Sequence, residues 1–263
     1  MAARRLLSLF KTFGIDPERG IGNAAALTWY FSDLMALRRQ QALAKSKFAF
    51  GKLYPCLDDR RVQGGTATGH YFHQDLLVAR RIHQNNPVRH VDVGSRVDGL
   101  AAHVASFRPI VILDIRDTRA DIPNMHFIQA DLMRFPDATL VGQFDSLSCL
   151  HALEHFGLGR YGDPINWEGH LLGLENITAL LAPRGKFYFS VPVGPQRVEF
   201  NAHRVFAVRY LVEWLGKHFR IDDFSYVDDQ GDLHEHAELT AAEIDHNFRC
   251  NYGCGIFEAT KLQ

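Results

Sequence analysis

The spacing of apolar residues divides the chain into two parts. In the first fifty residues, apolar side chains recur at helical spacing among Ala, Leu and Arg, which predicts helices over 6–13 and 23–45. Several glycines then interrupt the pattern, and residues 51–69 are expected to form a loop. A further helix is predicted over 71–84, and Pro87 follows closely enough to end it.

Short apolar runs separated by helical stretches follow from residue 88 onward. Nearly continuous apolar strands that alternate with helices indicate a parallel sheet with helices on both faces. The last two strand-like segments lack a clear strand–helix–strand rhythm, so we expect them to close the sheet as an antiparallel pair. The predicted strands cover 90–93, 110–113, 126–128, 144–147, 187–191, 219–227 and 252–259.

The predicted fold class is therefore α/β, with a Rossmann-like, mostly parallel sheet, an antiparallel C-terminal strand and flanking helices. A chain of 263 residues suffices for one large domain of this kind and an appended segment. We predict a helical N-terminal extension with a loop at 1–68 and the main domain at 69–263. Hydrophobic residues at 46% and charged residues at 22% are typical of a globular protein.

Charge and cysteine content limit which classes of partner and which cellular location we expect. The 29 Lys and Arg residues against 30 Asp and Glu leave a net charge of −1, so the broad basic surface of a nucleic-acid-binding protein is not expected. Cys250 and Cys254 lack the second pair that a structural zinc site would need, and we expect reduced thiols in a cytoplasmic protein. No apolar run approaches the roughly 20 residues that span a bilayer.

The first predicted helix allows two interpretations. Its basic residues Arg4, Arg5 and Lys11 would suit a helix that lies on a membrane surface. Packing on the protein's own core, or on a partner subunit of a homo-oligomer, is the simpler interpretation and the one that we expect.

Small and acidic residues mark the ends of the first three strands. Asp92-Val93-Gly94 leads from the first strand into a helix through a turn whose backbone N–H groups can approach a ligand. Asp114 ends the second strand, where it could accept hydrogen bonds from ribose hydroxyls, and Asp131 after the third could receive an adenine amino group. Three acidic strand ends in this order indicate an adenosine ligand that carries no phosphate.

These residues resemble the successive motifs of class I S-adenosylmethionine-dependent methyltransferases. The similarity runs over roughly residues 50–260 and is greatest to uncharacterised methyltransferase-like domains of unknown function. It implies a seven-stranded sheet, S-adenosylmethionine as the cofactor and methyl transfer as the activity, and it leaves the acceptor open. The segments that carry it are 69–75, Asp92-x-Gly94, Asp114, Asp131-Leu132, Phe144-Asp145, 150–155, 181–186 and 201–206.

The resemblance also implies which residues hold the cofactor, although two of them depart from the family pattern. Arg96 and Asp98 stand where the family has glycines, and Gly99 comes one place late. Arg96 could fold away from the cofactor, pair with its methionine carboxylate or remain a solvated side chain, and it would block binding if it filled the pocket. The predicted cofactor-binding residues are Asp92, Gly94, Ser95, Arg96, Asp98, Asp114, Ile115, Asp131, Leu132 and Leu150.

His155, Glu154 and His151 are the catalytic candidates. Methyl transfer is an in-line displacement that needs positioning and, for a hydroxyl acceptor, a base. A histidine titrates near neutral pH, so His155, just past the fourth strand with Glu154 beside it, could take a proton from the acceptor. The alternative is that His155 bonds backbone and shapes the pocket wall, and His151 could equally face the edge of the cofactor.

Two segments are expected to bind the acceptor. Tyr71 and Asp75, four residues apart, share one face of the predicted helix. His203 and Arg204 follow the fifth strand, and Arg204 could hold a phosphate or carboxylate by paired hydrogen bonds. Either of these two residues could instead cap or bridge local backbone.

Two histidine motifs favour a metal ion instead. His151-x-x-Glu154-His155 matches the H-x-x-E-H pattern of zinc peptidases, and the His-Glu-His run at 234–236 could form a second cluster. In a chain with 14 histidines the first match can arise by chance, and the second run is more simply explained as exposed loop histidines. We therefore predict no metal site.

The predicted function is S-adenosylmethionine-dependent O-methylation of a small polar acceptor, such as a sugar or glycan precursor. A nicotinamide-dependent reductase or epimerase is the rival enzyme class, but G-x-G-x-x-G is missing and no tyrosine has a lysine four residues later. A binding protein that retains the fold without turnover is the third alternative, and Arg96 and Asp98 in glycine positions favour it.

Overall fold

The computed structural model of the protein describes residues 10–46, 48–62 and 64–263. Residues 6–9 of the helix predicted over 6–13 lie outside the described residues, and within the described part residues 10–12 are helical. Among the residues that are described, no helix is both long enough and apolar enough to cross a membrane.

The described residues form two compact units, which divide between Thr66 and Ala67. The first unit contains helix α1 at Pro17–Leu43, which covers most of the helix predicted there. It begins earlier than predicted because the Asp16 side chain accepts a hydrogen bond from the Arg19 backbone N–H and a proline opens the first turn.

The second unit is an α/β domain whose strands and helices alternate as the apolar pattern predicts. Its strands are β1 His90–Val93, β2 Ile110–Asp114, β3 Met125–Gln129, β4 Phe144–Leu150, β5 Leu181–Val193, β6 Arg197–Glu199, β7 His203–Val205, β8 Phe219–Val227, β9 Leu233–His234 and β10 Gly253–Lys261. Its helices are α2 His70–Asn85, α3 Ala102–Ala105, α4 Gly169–Leu180, α5 Val208–His218 and α6 Ala241–Asp245.

The sheet has the predicted mixture of parallel and antiparallel strands. Within the described residues it contains eight strands, in the order β3-β2-β1-β4-β5-β10-β8-β9. The first five of that order run parallel, with Val91 of β1 between Val111 of β2 and Leu147 of β4. β10 runs antiparallel between β5 and β8. The seven predicted strands are confirmed, and the eighth strand, β9, pairs only two residues with β8.

Apolar side chains are buried on both faces of the sheet, because successive residues of a strand point to opposite sides. Phe187 and Phe189 of β5 pack in the layer that contains α4 and α5. Tyr188, between them, packs in the layer that contains α2 and α3. Helices therefore cover both faces of the parallel strands, and the loops at the carboxyl ends of those strands are left to form a site.

Replacing Phe257 with alanine should lower the free energy of unfolding by about 3–5 kcal/mol, because it would leave a cavity in the sheet-facing core. The Phe257 ring is fully buried, with its centroid 4.7 Å from that of Phe224 and 6.2 Å from that of Phe189. Urea denaturation followed by circular dichroism measures the loss. Phe135→Ala is the matched control, since that residue is 71% exposed and should change stability by less than about 0.5 kcal/mol. Equal losses would contradict this account of the core.

Candidate active site

A cavity opens at the carboxyl ends of the parallel strands. The ends of β1, β2, β3 and β4 lie side by side there, since these four strands are neighbours in the sheet. The cavity measures about 550 Å³, including the part that is open to solvent, and its walls are mostly apolar. Among the residues predicted to bind the cofactor, those that line it are Gly94, Asp114, Ile115, Asp131 and Leu132.

The turn after β1 requires a glycine. Gly94 has a φ of +68°, and a Cβ at this position would lie 2.9 Å from the Cβ of Ala152. Asp92 holds the turn in place, because its carboxylate accepts hydrogen bonds from the Ser95 backbone N–H at 3.0 Å, the Ser95 hydroxyl at 2.7 Å and the Ser148 hydroxyl at 2.5 Å. Asp92 is fully buried and does not line the cavity, so it supports the turn without facing the space beside it.

Burial also affects the charge of this supporting carboxylate. It raises the pKa of Asp92 to about 6, against the hydrogen bonds from Ser148 and Ser95, which favour the ionised form. Ser95 and Leu150 lie behind the same turn, where the Leu150 N–H donates to the Ser95 hydroxyl at 3.3 Å. These two residues therefore tie the β1 turn to the end of β4 and do not line the cavity.

Arg96 leaves the cavity open. Its Nε and Nη2 donate to the two carboxylate oxygens of Asp98 at 3.0 and 2.7 Å, and its guanidinium lies 5.3 Å from the ring centroid of Tyr71. Arg96 and Asp98 both lie outside the cavity wall, and the Arg96 side chain is 57% exposed, so it does not fill the pocket. Position 99 favours glycine, because a Cβ there would collide with the Asp75 carboxylate.

Asp114 and Asp131 bring two carboxylates to the cavity from neighbouring strands. Asp114 accepts hydrogen bonds from the Arg116 backbone N–H at 2.8 Å and from its side-chain Nε and Nη2 at 2.9 and 2.6 Å. Asp131 Oδ1 accepts a hydrogen bond from the Met133 N–H at 3.0 Å. Each carboxylate is thus fixed by the first residues after its strand.

Arg116, Tyr161 and Asp163 also line the cavity, and no motif or periodicity in the sequence indicated them. The Arg116 guanidinium lies 4.7 Å from the ring centroid of Tyr161, as in a cation–π contact. Asp163 accepts hydrogen bonds from the Gly157 and Gly159 N–H groups at 2.8 and 3.1 Å. The loop after β4 therefore contributes one wall of the site.

His151, Glu154 and His155 come together after β4. His151 Nδ1 lies 2.7 Å from Glu154 Oε1, and His155 Nε2 lies 3.6 Å from the same oxygen. His151 has a left-handed backbone with φ +50°, and a 3₁₀ turn at Leu153–His155 follows it. The two histidines therefore do not occupy successive turns of one α-helix, which the H-x-x-E-H zinc peptidase motif requires.

The His155 ring has a defined hydrogen-bonding pattern. Its Nδ1 donates to the carbonyl oxygen of Ala202 at 2.7 Å, so the neutral ring carries its lone pair on Nε2. Burial lowers the pKa of His155 and outweighs the nearby Glu154 carboxylate, which acts in the opposite direction. Because His155 lines the cavity, a neutral imidazole with a free lone pair borders it.

His151 differs from His155 in charge. Burial disfavours its protonated form, but the adjacent Cys254 sulfur and the Glu154 carboxylate outweigh burial and raise the pKa of His151 to about 10. Burial raises the pKa of Glu154, but the attraction of His151 outweighs burial and leaves that pKa below its usual value. His151 and Glu154 thus form a buried ion pair.

Three residues expected to bind the acceptor lie outside the cavity wall. Tyr71 is half-exposed, with its ring centroid 5.2 Å from that of His151. Asp75 is buried, and burial raises its pKa to about 6. The His203 ring lies 5.0 Å from that of Tyr252. Tyr71 therefore borders the site at His151, whereas Asp75 faces the interior of the domain.

Arg204 corrects one expectation from the sequence. Its Nη1 donates to the carbonyl oxygen of Phe156 at 2.6 Å, and its Nη2 donates to that of Trp167 at 3.0 Å. The residue is buried and does not line the cavity. Its guanidinium therefore bridges local backbone and is not positioned to hold the phosphate or carboxylate of an acceptor there.

Replacing Arg204 with alanine should lower the free energy of unfolding by about 1.5–3 kcal/mol, since buried carbonyl groups would lose a charged donor. Arg209→Ala is a suitable control, because the Arg209 side chain is 48% exposed and pairs with Asp245 at the surface. Its loss should cost at most about 1 kcal/mol. Chemical denaturation of both variants measures the difference, and a loss in Arg204→Ala no larger than in Arg209→Ala would contradict the bridging role.

The strand order of the second unit defines its fold. The second unit has the class I S-adenosylmethionine-dependent methyltransferase fold. It is similar to 1,6-didemethyltoxoflavin-N1-methyltransferase of Burkholderia thailandensis, solved with bound 1,6-didemethyltoxoflavin and S-adenosylhomocysteine. The TM-score is 0.52, with 18% identity over 72% of this chain and 79% of that one. The [4+2]-cyclase SpnF is similar with a TM-score of 0.52 and 19% identity over 72% of this chain and 81% of that one.

A family model described as "Caenorhabditis protein of unknown function, DUF268" matches residues 111–249, more than half of the chain. The chain belongs to this family. The resemblance to methyltransferase-like domains of unknown function is thereby confirmed. The comparison with curated proteins finds no significant match.

Proposed function

We propose that the protein binds S-adenosylmethionine in the cavity beside Gly94 and transfers its methyl group to a small polar acceptor. The observation that carries the proposal is the convergence of Gly94, Asp114 and Asp131 on one largely apolar cavity that Arg96 leaves open. The residues fit the cofactor, because Gly94 allows a turn whose backbone borders the cavity without a side chain, and two carboxylates line the same cavity.

Each lining residue then has a part in cofactor binding. Asp114 would accept hydrogen bonds from the ribose hydroxyls, Asp131 would accept one from the adenine amino group, and Ile115 and Leu132 would pack on the adenine ring. Asp92, with Ser95, would hold the turn that faces the methionine part. The bound cofactor would supply a methyl group on a positively charged sulfur; an in-line nucleophile would attack the methyl carbon, and the sulfur would leave as the neutral thioether of S-adenosylhomocysteine.

The acceptor is proposed to be a hydroxyl of a small polar molecule, such as a sugar or glycan precursor. His155 would take its proton at Nε2, because Nδ1 is committed to the Ala202 carbonyl. Glu154, 3.6 Å from that nitrogen, would stabilise the imidazolium that forms. Tyr71 and His203 are the side chains proposed to contact the acceptor.

Titration calorimetry with S-adenosylhomocysteine tests the proposed cofactor, with NADH as the comparison ligand. We expect S-adenosylhomocysteine to bind with a stoichiometry of one per chain and NADH to release no heat of binding. Binding of NADH alone would replace the proposal with a nicotinamide-dependent enzyme. Transfer of a labelled methyl group to a panel of small hydroxyl compounds then tests turnover.

A binding protein that retains the fold without methyl transfer is the second candidate. One observation favours it: a protein with a similar fold is named as a cyclase. The labelled-methyl assay separates the two candidates, because this alternative predicts cofactor binding without any methylated product.

A further inference from the structure

Three side chains with metal-binding atoms meet beside the cavity. His70 lies at the start of α2, His151 follows β4, and Cys254 belongs to β10. One potential ligand atom of each residue lies within 4.8 Å of those of the other two. Neither the predicted cofactor contacts nor the proposed base requires this cluster, which joins three distant parts of the sequence.

His151 has a nitrogen that its surroundings leave unused. The residue is more than nine-tenths buried, and its Nε2 has no hydrogen-bond partner among the described residues. Leaving a buried polar atom unpaired is unfavourable, so such an atom calls for an explanation. Its other nitrogen, Nδ1, bonds Glu154 at 2.7 Å. A carboxylate on one ring nitrogen and a metal on the other is a common arrangement for a histidine ligand.

His70 and Cys254 complete the set of donors. The His70 ring stacks on that of His151, with centroids 5.2 Å apart and an interplanar angle of 15°. The His70 ring also lies against Tyr252, with ring centroids 5.4 Å apart. Cys254 is fully buried, and the nearest hydrogen-bond acceptor of its sulfur is Gln74 Oε1 at 3.6 Å, a weak contact.

We infer that His70, His151 and Cys254 bind a zinc ion beside the cavity. Two imidazoles and a thiolate suit zinc, whose bonds of about 2.0–2.1 Å to nitrogen and 2.3 Å to sulfur place tetrahedral donors roughly 3.3–3.8 Å apart. Small side-chain rotations bring donors within 4.8 Å to that spacing. Binding converts the Cys254 thiol to a zinc-bound thiolate and removes the proton from His151 Nε2, which then ligates the metal through its lone pair; both protons pass to solvent.

The left-handed backbone of His151 supports this inference. A φ of +50° is uncommon for a histidine, and it turns the ring from the end of β4 toward α2 and β10. Because the described residues supply three donors, the fourth zinc position would take water or a bound small molecule. The inference goes beyond the proposed function, since zinc binding by these residues needs neither the cofactor nor methyl transfer.

Cobalt titration of reduced, chelator-treated protein tests the site directly. Co²⁺ bound by a cysteine gives a thiolate-to-cobalt charge-transfer band, and zinc added afterwards should abolish it. We expect the wild type to develop this band at stoichiometric cobalt. Cys254→Ser should lose the band, and His70→Ala should weaken cobalt binding by at least about tenfold.

Two matched variants control for the cluster. Cys250→Ser removes the other buried cysteine of the same segment, and His73→Ala removes a histidine one turn further along α2. Both should keep the band of the wild type. Circular dichroism of the metal-free variants checks that each is folded, and His70→Gln provides a second variant if His70→Ala is not.

Two results would overturn the inference. In one, the wild type takes up no cobalt; in the other, Cys250→Ser loses the band as fully as Cys254→Ser. Calorimetry with S-adenosylhomocysteine on the zinc-free wild type keeps this outcome separate from the proposed function. Cofactor binding without a cobalt band would reject the zinc site and leave the proposed function standing.

Discussion

Replacing Asp114 with alanine should weaken the binding of S-adenosylhomocysteine by roughly tenfold to a hundredfold, equivalent to about 1.5–3 kcal/mol. The Asp114 side chain is 13% exposed, lines the cavity and is held in position by Arg116. In the proposed site the variant would lose the charged acceptor for the ribose hydroxyls, and a largely apolar cavity offers them no comparable partner. Titration calorimetry of the wild type and the variant measures the change in Kd.

Asp117→Ala is the control for Asp114→Ala. Asp117 bonds Arg119 at 2.6 Å, much as Asp114 bonds Arg116, but its side chain is 46% exposed and it does not line the cavity. The control should therefore bind S-adenosylhomocysteine as the wild type does. The same Kd in Asp114→Ala and Asp117→Ala would remove Asp114 from the cofactor site.

His155→Ala should slow methyl transfer by about 10²–10⁴-fold on an acceptor hydroxyl, which is the usual contribution of a general base. Binding of S-adenosylhomocysteine should change far less, because the proposed role of His155 is directed at the acceptor. Turnover measured with a labelled methyl group, beside calorimetry on the same samples, separates the two effects. His126→Ala, an exposed histidine on β3, should retain full activity.

The pH dependence provides a second test of His155. Since the base acts in its neutral form, the rate should fall as the pH drops through the pKa of His155. Burial lowers that pKa below the usual 6.5, so the wild type should stay active into mildly acidic solution. This acidic limb should be missing in His155→Ala. If His155→Ala had wild-type turnover and an unchanged pH profile, His155 would not be the base and would only shape the pocket wall.

The strands could be predicted closely from the sequence. β1 and β8 have the predicted bounds, because continuous apolar runs that end in polar or turn residues define a buried strand locally. β5 extends well beyond its predicted core at 187–191. The prediction was too short because Arg184 and Gly185 interrupt the apolar run. The short strand β9 exists only through its pairing with β8, and two residues carry no periodic signal.

The sequence by itself determined the parts of the site that follow from strand order. Gly94, Asp114 and Asp131 each end a strand, and the carboxyl ends of neighbouring parallel strands share one edge, so local patterns suffice to bring these residues together. Tertiary structure decided what depends on packing between distant segments. It buried Asp92 beneath the turn and directed the Arg204 guanidinium to backbone carbonyls.

The meeting of His70, His151 and Cys254 was likewise decided by the tertiary structure. The physical reason is that periodicity and motifs report contacts along one element. The direction of a side chain toward a partner a hundred residues away depends on how helices and strands pack.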